Sequence, residues 1–131
     1  MSAFYLDTSA AVKLVAVEKS STALHRWVTS HGERLFSSDL LRTELLRATR
    51  RAAPEQMVQA RAVLDSLVLL TLSTAICQRA ALLELASLRT LDALHLAAAQ
   101  EIGDELEGVV TYDRRLADGA EAIGISVVAP V

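Results

Sequence analysis

Short apolar runs that end on or near a polar turn alternate along this chain with longer stretches of helical period, and that alternation leaves few architectures open. The first run, Phe4-Tyr5-Leu6, stops at Asp7 and passes through Thr8 or Ser9, read as a cap, into a helix ending near Val15. A second helix is predicted from about Lys19 to Ser30, with Ala23, Leu24, Trp27 and Val28 at helical spacing and Gly32 as its stop. Arg34–Ser37 reads as a strand, Ser38-Asp39 as the cap of a helix from Leu40 to Arg51, and Pro54 as the first-turn residue of another.

The second half repeats the pattern. Leu67–Leu72 has the length of a buried strand, with continuation of the preceding helix as the alternative. Ser73 or Thr74 caps a helix to about Ser87, and Thr90 caps one to about Ile102 that Gly103 ends. Gly108–Tyr112 predicts a strand ending on Asp113, Arg114–Ala122 a short helix, and Ile125–Ala129 a last strand terminated by Pro130. Strands alternating with helices imply an α/β fold: a three-layer α/β/α sandwich with a mostly parallel central sheet.

At 131 residues the chain is expected to form a single domain over 1–131 that buries enough surface to fold without staples. With 52% apolar but only 4% aromatic residues, Leu, Ala and Val must fill the core, and Trp27 is a buried or interface residue. The lone Cys77 has no internal partner and reads as a small core residue of a cytoplasmic protein. No signal-peptide pattern opens the sequence, and Asp65 breaks its longest apolar run, so no membrane span is expected. A net charge of -3 argues against gripping nucleic acid by bulk positive potential. Bound cations would have to supply that charge locally.

Four acids suggest where. In a parallel sheet every strand ends at one edge, so Asp7 and Asp113, each closing a predicted strand, share that edge whatever the strand order. Asp92 lies in the first turn of its helix, and Glu44 beside the apolar stripe Leu41, Leu45, Ala48, Ala52, facing the sheet. Singly, such acids are ordinary helix caps, and Glu44 could pair with Arg47. Jointly they repel: two carboxylates 4 Å apart cost about 4 kcal/mol at an effective dielectric of 20, a cost that a divalent cation removes. Oxygen ligands without His or Cys suit Mg2+, with Mn2+ the alternative. Asp7 and Asp92 are the expected direct ligands, Glu44 binds metal or orients water, and Asp113 completes the set. Thr8, Ser9 and Thr111 could support these carboxylates through their hydroxyls, although Thr8 reads better as a simple cap. His95 reads as packed and hydrogen-bonded, His25 and His31 as surface residues. Arg42, Arg47, Arg50 and Arg51, with Arg114 and Arg115 beyond Asp113, are either a solvated face or contacts for RNA phosphate or an acidic partner segment.

These residues resemble the PIN-domain ribonucleases, in particular the VapC toxins of bacterial toxin–antitoxin pairs. Four blocks carry the resemblance: Tyr5-Leu6-Asp7-Thr8-Ser9-Ala10, Ser38-Asp39-Leu40 leading to Glu44-Leu45, Leu91-Asp92-Ala93-Leu94-His95-Leu96-Ala97, and Val110-Thr111-Tyr112-Asp113-Arg114-Arg115-Leu116. Their order and spacing match over nearly the whole chain. The resemblance implies a three-layer α/β/α fold, magnesium-dependent endonuclease action on RNA, a homodimer, and inhibition by a cognate antitoxin whose tail occupies the active-site groove. By position, the family's acidic site falls on Asp7, Glu44, Asp92 and Asp113, with Thr111 in support.

Other classes fit the residues less well. A signalling receiver domain wants adjacent acids after strand one and a late lysine, but Leu6 precedes Asp7 and the only lysines are Lys13 and Lys19. A haloacid-dehalogenase phosphatase wants a second Asp where Ser9 stands. The remaining alternative is a PIN-like protein that binds RNA or a partner with little catalysis.

Overall fold

The computed structural model describes residues 2–31 and 34–131. Its five strands are β1 (Ala3–Leu6), β2 (Leu35–Ser38), β3 (Val68–Leu70), β4 (Leu106–Val110) and β5 (Val127–Val128). They form one sheet in the order β3-β2-β1-β4-β5, every neighbouring pair parallel. Seven α-helices connect them among the described residues: α1 (Thr8–Val15), α2 (Ser21–His31), α3 (Asp39–Ala52), α4 (Met57–Asp65), α5 (Thr74–Leu82), α6 (Thr90–Glu101) and α7 (Arg114–Ala122). The expected α/β sandwich is therefore present, with a wholly parallel sheet.

The alternation of side chains along β1 divides the interior in two. Phe4 and Leu6 point to the face covered by α1 to α4, where Leu14, Leu24, Leu41, Leu45, Val63 and Leu64 are buried. Tyr5 points to the other face, against Ile76, Ala80, Leu96, Leu116 and Ala120 of α5 to α7. Val110 and Val109 of β4 repeat this division. Each fully buried leucine contributes about 2 kcal/mol relative to exposure, so both faces are needed to hold the sheet. Among the described residues no helix is long and apolar enough to cross a membrane.

Several boundaries differ from those expected, for local reasons. Ser20 takes a left-handed φ of 74°, so α2 starts at Ser21 rather than Lys19; Gly32, expected to stop it, lies outside the described residues. The first helix is capped by Asp7, whose carboxylate accepts the Ala10 N–H, and neither Thr8 nor Ser9 fills that role. Asp39, expected to share the cap of the next helix, is instead the first residue of α3, and Ser38 occupies the N-cap position without making a side-chain cap bond. Pro54 opens a 3-10 turn, Pro54–Gln56, that leads into α4.

The helix after Ser73 ends at Leu82, short of Ser87, because the following segment turns and packs Leu83 and Leu88 against the second core. Arg89, not Thr90, holds the cap position of α6. Cys77 is exposed on α5, correcting its reading as a core residue. Strand β4 stops at Val110 because Thr111 and Tyr112 are drawn toward Asp7 and Ser9.

Candidate active site

The sheet order fixes the location of the site. From β1 the chain moves to β2 and β3 on one side, then returns to place β4 on the other, so the connections diverge between the C-terminal ends of β1 and β4. A crevice at that edge is the usual ligand site of open parallel sheets. Asp7 follows β1 directly, and Thr111-Tyr112-Asp113 leads out of β4.

Asp7 is buried, with 4% of its surface exposed. Its Oδ1 accepts from the Ser9 hydroxyl at 2.8 Å and the Ala10 N–H at 3.0 Å, and its Oδ2 accepts from Thr111 Oγ1 at 2.6 Å. Burial raises the Asp7 carboxyl pKa above its ordinary value, and the bonds from Thr111, Ala10 and Ser9 only partly oppose it. Ser9 Oγ also accepts the Tyr112 N–H at 2.8 Å, and Thr111 Oγ1 accepts the Asp113 N–H at 3.0 Å. Ser9 and Thr111 thus lash the exit of β4 to the end of β1.

Glu44 sits in the second turn of α3 and meets a different set of donors. Thr8 Oγ1 donates to its Oε1 at 2.5 Å, and His95 Nε2 lies 2.8 Å from the same oxygen. Burial pushes the Glu44 carboxyl up, but the bonds from His95 and Thr8 outweigh it and leave the pKa below the usual value. An ionised carboxylate only accepts, so His95 Nε2 carries the hydrogen. Thr8 was expected to be a cap; its hydroxyl holds Glu44 instead. Glu44 makes no ion pair with Arg47 among the described residues, and the pair on this helix is Asp39 with Arg42 at 3.5 Å.

Asp92 is half-buried in the first turn of α6, where its Oδ2 accepts the Arg89 N–H at 3.3 Å. Helix spacing puts it about one turn from His95, on the same side. Asp113 is exposed at the N-cap of α7, accepting from Arg115 and Leu116 N–H at 2.9 and 3.2 Å. Its capping role is therefore real. Thr111 links it to Asp7, and Thr8 and His95 tie Glu44 to the end of β1 and to the helix of Asp92.

A divalent cation suits this donor set. Among the described residues no Lys or Arg forms an ion pair with Asp7, Asp92 or Asp113. Among the described residues no three His, Cys, Asp or Glu side chains converge closely enough to cage an ion by themselves. Magnesium binds through one or two carboxylates while keeping waters and accepting substrate phosphate, which agrees with this partial assembly.

Two residues that the sequence did not single out, Tyr5 and Ser38, stand behind the site. Tyr5 is fully buried, and its hydroxyl lies 2.9 Å from Ser38 Oγ and 2.8 Å from His95 Nδ1, in hydrogen-bond contact with both. Its signal was a hydroxyl in an otherwise apolar strand. Exposed Arg47, Arg50 and Arg51 line an open notch on α3.

The PIN-domain family matches residues 4–122. Ribonuclease VapC47 of Mycobacterium tuberculosis is 42% identical over 130 residues, covering 96% of each chain. The chain belongs to the VapC family of PIN-domain ribonucleases. Ribonuclease VapC46 of the same species is 41% identical across 99% of both chains, a span that includes the segments of all four acids. Among solved structures, VapC20 of M. tuberculosis, described as a toxin cleaving the sarcin-ricin loop, superposes with a TM-score of 0.77 at 16% identity, over 98% of this chain and 100% of that one. The DNA-bound VapBC complex of Salmonella typhimurium superposes with a TM-score of 0.78 at 18% identity, over 98% of each chain. At those identities the superpositions speak for the VapC fold alone.

Proposed function

We propose that this protein is the toxin of a toxin–antitoxin pair and a divalent-metal-dependent endoribonuclease, acting through Asp7, Glu44, Asp92 and Asp113. The observation that carries the reading is a buried Asp7 carboxylate without a Lys or Arg partner, at the edge where the sheet connections diverge. Membership of the VapC ribonucleases supplies the reaction class. The span 1–131 works as one nuclease domain.

Bound at these acids, Mg2+ or Mn2+ would lower the pKa of a water and neutralise charge building on the scissile phosphate. The chain's own residues prepare for that chemistry. Ser9 and Thr111 hold the Asp7 carboxylate in place, and Thr8 and His95 hold Glu44 so that it can take the metal or orient the attacking water. Asp92 and Asp113 bring further negative charge from the starts of α6 and α7. With the protein itself acidic, the cation is what lets an RNA phosphate approach.

The proposed partners are an RNA substrate, a cognate antitoxin and a second copy of the chain. An antitoxin fits the toxin–antitoxin complexes known for proteins of this fold, such as that from Klebsiella pneumoniae, which superposes with a TM-score of 0.75 at 21% identity. A homodimer and a cytoplasmic place of action belong to the same proposal. Its test is cleavage of total RNA by purified protein with Mg2+, with EDTA, and with an Asp7→Asn variant, mapping the new 5′ ends. Discrete cuts present only for the wild type with metal support the nuclease. No cutting by folded, metal-loaded protein freed of any co-purified partner favours a protein that acts by binding.

A further inference from the structure

The second core contains a polar chain that packing does not require. Tyr5 belongs to the same buried cluster as Ile76, Leu96 and Val109 and is 0% exposed, and Ser38 and His95, which it contacts, are 0% and 4% exposed. A buried polar group left unpaired carries its full desolvation cost, so an apolar set of similar shape would be the safer filling. Instead, all three are joined. The Tyr5 hydroxyl meets Ser38 Oγ on one side and His95 Nδ1 on the other, and His95 Nε2 reaches Glu44 Oε1.

The chain closes on itself through secondary structure. Ser38 occupies the N-cap position of α3, the same helix that carries Glu44, and its hydroxyl bonds Tyr5 rather than capping that helix. Tyr5 lies in β1, two residues before Asp7, and His95 lies in α6, three residues after Asp92. The tyrosine and imidazole rings meet edge to face, with centroids 5.7 Å apart and planes at 72°. The imidazole is therefore held at both nitrogens and by its ring contact.

The consequence falls on Glu44. Both donors, Thr8 and His95, act on Oε1, and among the described residues no hydrogen bond reaches Oε2. The His95 side chain is 5% exposed but that of Glu44 is 24% exposed, so the glutamate reaches from the buried chain toward solvent. A free glutamate side chain loses rotamer freedom when immobilised, and anchoring one oxygen beforehand removes part of that cost from ligand binding.

Resting on the ribonuclease reading above, we propose that Tyr5 and His95 are positioning residues that fix Glu44 through Oε1 and reserve Oε2 for the metal or its water. They act through Glu44 and touch neither RNA nor metal themselves. Losing such an outer partner typically costs about 10- to 100-fold in metal affinity or activity.

The test combines Mn2+ affinity by calorimetry with kcat and KM for RNA cleavage. His95→Phe, which retains the ring shape, should weaken Mn2+ binding and lower kcat by about 10-fold or more while leaving KM close to wild type. Tyr5→Phe should cause a smaller loss of the same kind, and His95→Gln, whose amide can still donate to Glu44, should recover much of it. In a Glu44→Gln background, adding His95→Phe should change neither quantity by more than about twofold, because residues acting as a unit are not additive. Unchanged metal affinity in folded His95→Phe and Tyr5→Phe, or fully additive losses in the double variant, would overturn the inference. A wild type that binds Mn2+ without cutting RNA overturns the nuclease reading alone, and the affinity series still decides the role of His95.

Discussion

Thr111 Oγ1 donates to Asp7 Oδ2 across 2.6 Å, joining residues 104 positions apart, and accepts the Asp113 N–H at 3.0 Å. One hydroxyl thus fixes the carboxylate at the end of β1 and the approach to α7. Thr111→Val keeps the shape and removes both bonds. It should destabilise the protein by about 1–3 kcal/mol and lower RNA cleavage, and Thr111→Ser should restore most of both. Denaturant midpoints and cleavage rates of the two variants check this; equal behaviour of Val and Ser would contradict it.

Asp7 carries a desolvation cost that a proton or a bound cation relieves. Burial raises its pKa above the ordinary 3.8, so the native state holds the proton more tightly than the unfolded chain does. Its contribution to stability is present below pH 3.8 and is lost as pH rises through the folded value. At pH 7 in EDTA, Asp7→Asn removes the buried charge and retains a good capping residue. The variant should melt higher by several degrees, roughly what 1 kcal/mol produces in a domain of this size. Added Mg2+ should raise the melting temperature of the wild type and not of the variant.

Glu44 runs the other way. Burial raises its carboxyl, but His95 and Thr8 lower it further, to below the ordinary 4.5. Its stabilisation is present above pH 4.5 and is lost as pH falls through the lowered folded value. Glu44→Gln should therefore destabilise the metal-free protein at pH 7, by less than about 1 kcal/mol given the partial exposure of the side chain. That difference should close as pH falls through the lowered folded value. A difference that widens in acid would show that the bonds from His95 and Thr8 do not favour the charged form.

Asp113 caps α7 through Arg115 and Leu116 N–H, so its structural and catalytic roles must be separated by the choice of substitution. Asp113→Ala should lose about 1 kcal/mol of stability with the cap, whereas Asp113→Asn keeps the cap at little cost. Both should lower cleavage. An Asn variant with wild-type activity would reduce Asp113 to a helix cap.

Much of this arrangement was legible in the sequence because a few rules are strong. A parallel sheet puts strand ends on one edge, which placed Asp7 and the exit of β4 together before their pairing was known. Helix period turned Glu44 toward the sheet and set His95 one turn beyond Asp92. The rest depended on contacts no local pattern encodes. Tyr5 and His95 are 90 residues apart, and Tyr5 and Ser38 33 apart, so nothing near any of them reveals the chain that they form. Thr8 looked like a cap because a hydroxyl after a strand usually is one; Asp7 had already taken that role. The early end of α5 follows from Leu83 and Leu88 reaching the second core, a tertiary contact that overrides a helical pattern.

The proposed chemistry depends on a divalent cation held at the C-terminal edge of β1 and β4 by Asp7 with Glu44, Asp92 or Asp113. Crystals grown with Mn2+, measured at the manganese absorption edge, test it most directly. An anomalous peak is expected in that crevice, ligated by Asp7 with at least one of Glu44, Asp92 and Asp113, and absent from the same crystals of Asp7→Asn. A peak elsewhere, or no peak at this edge when Mn2+ is in excess, would contradict it.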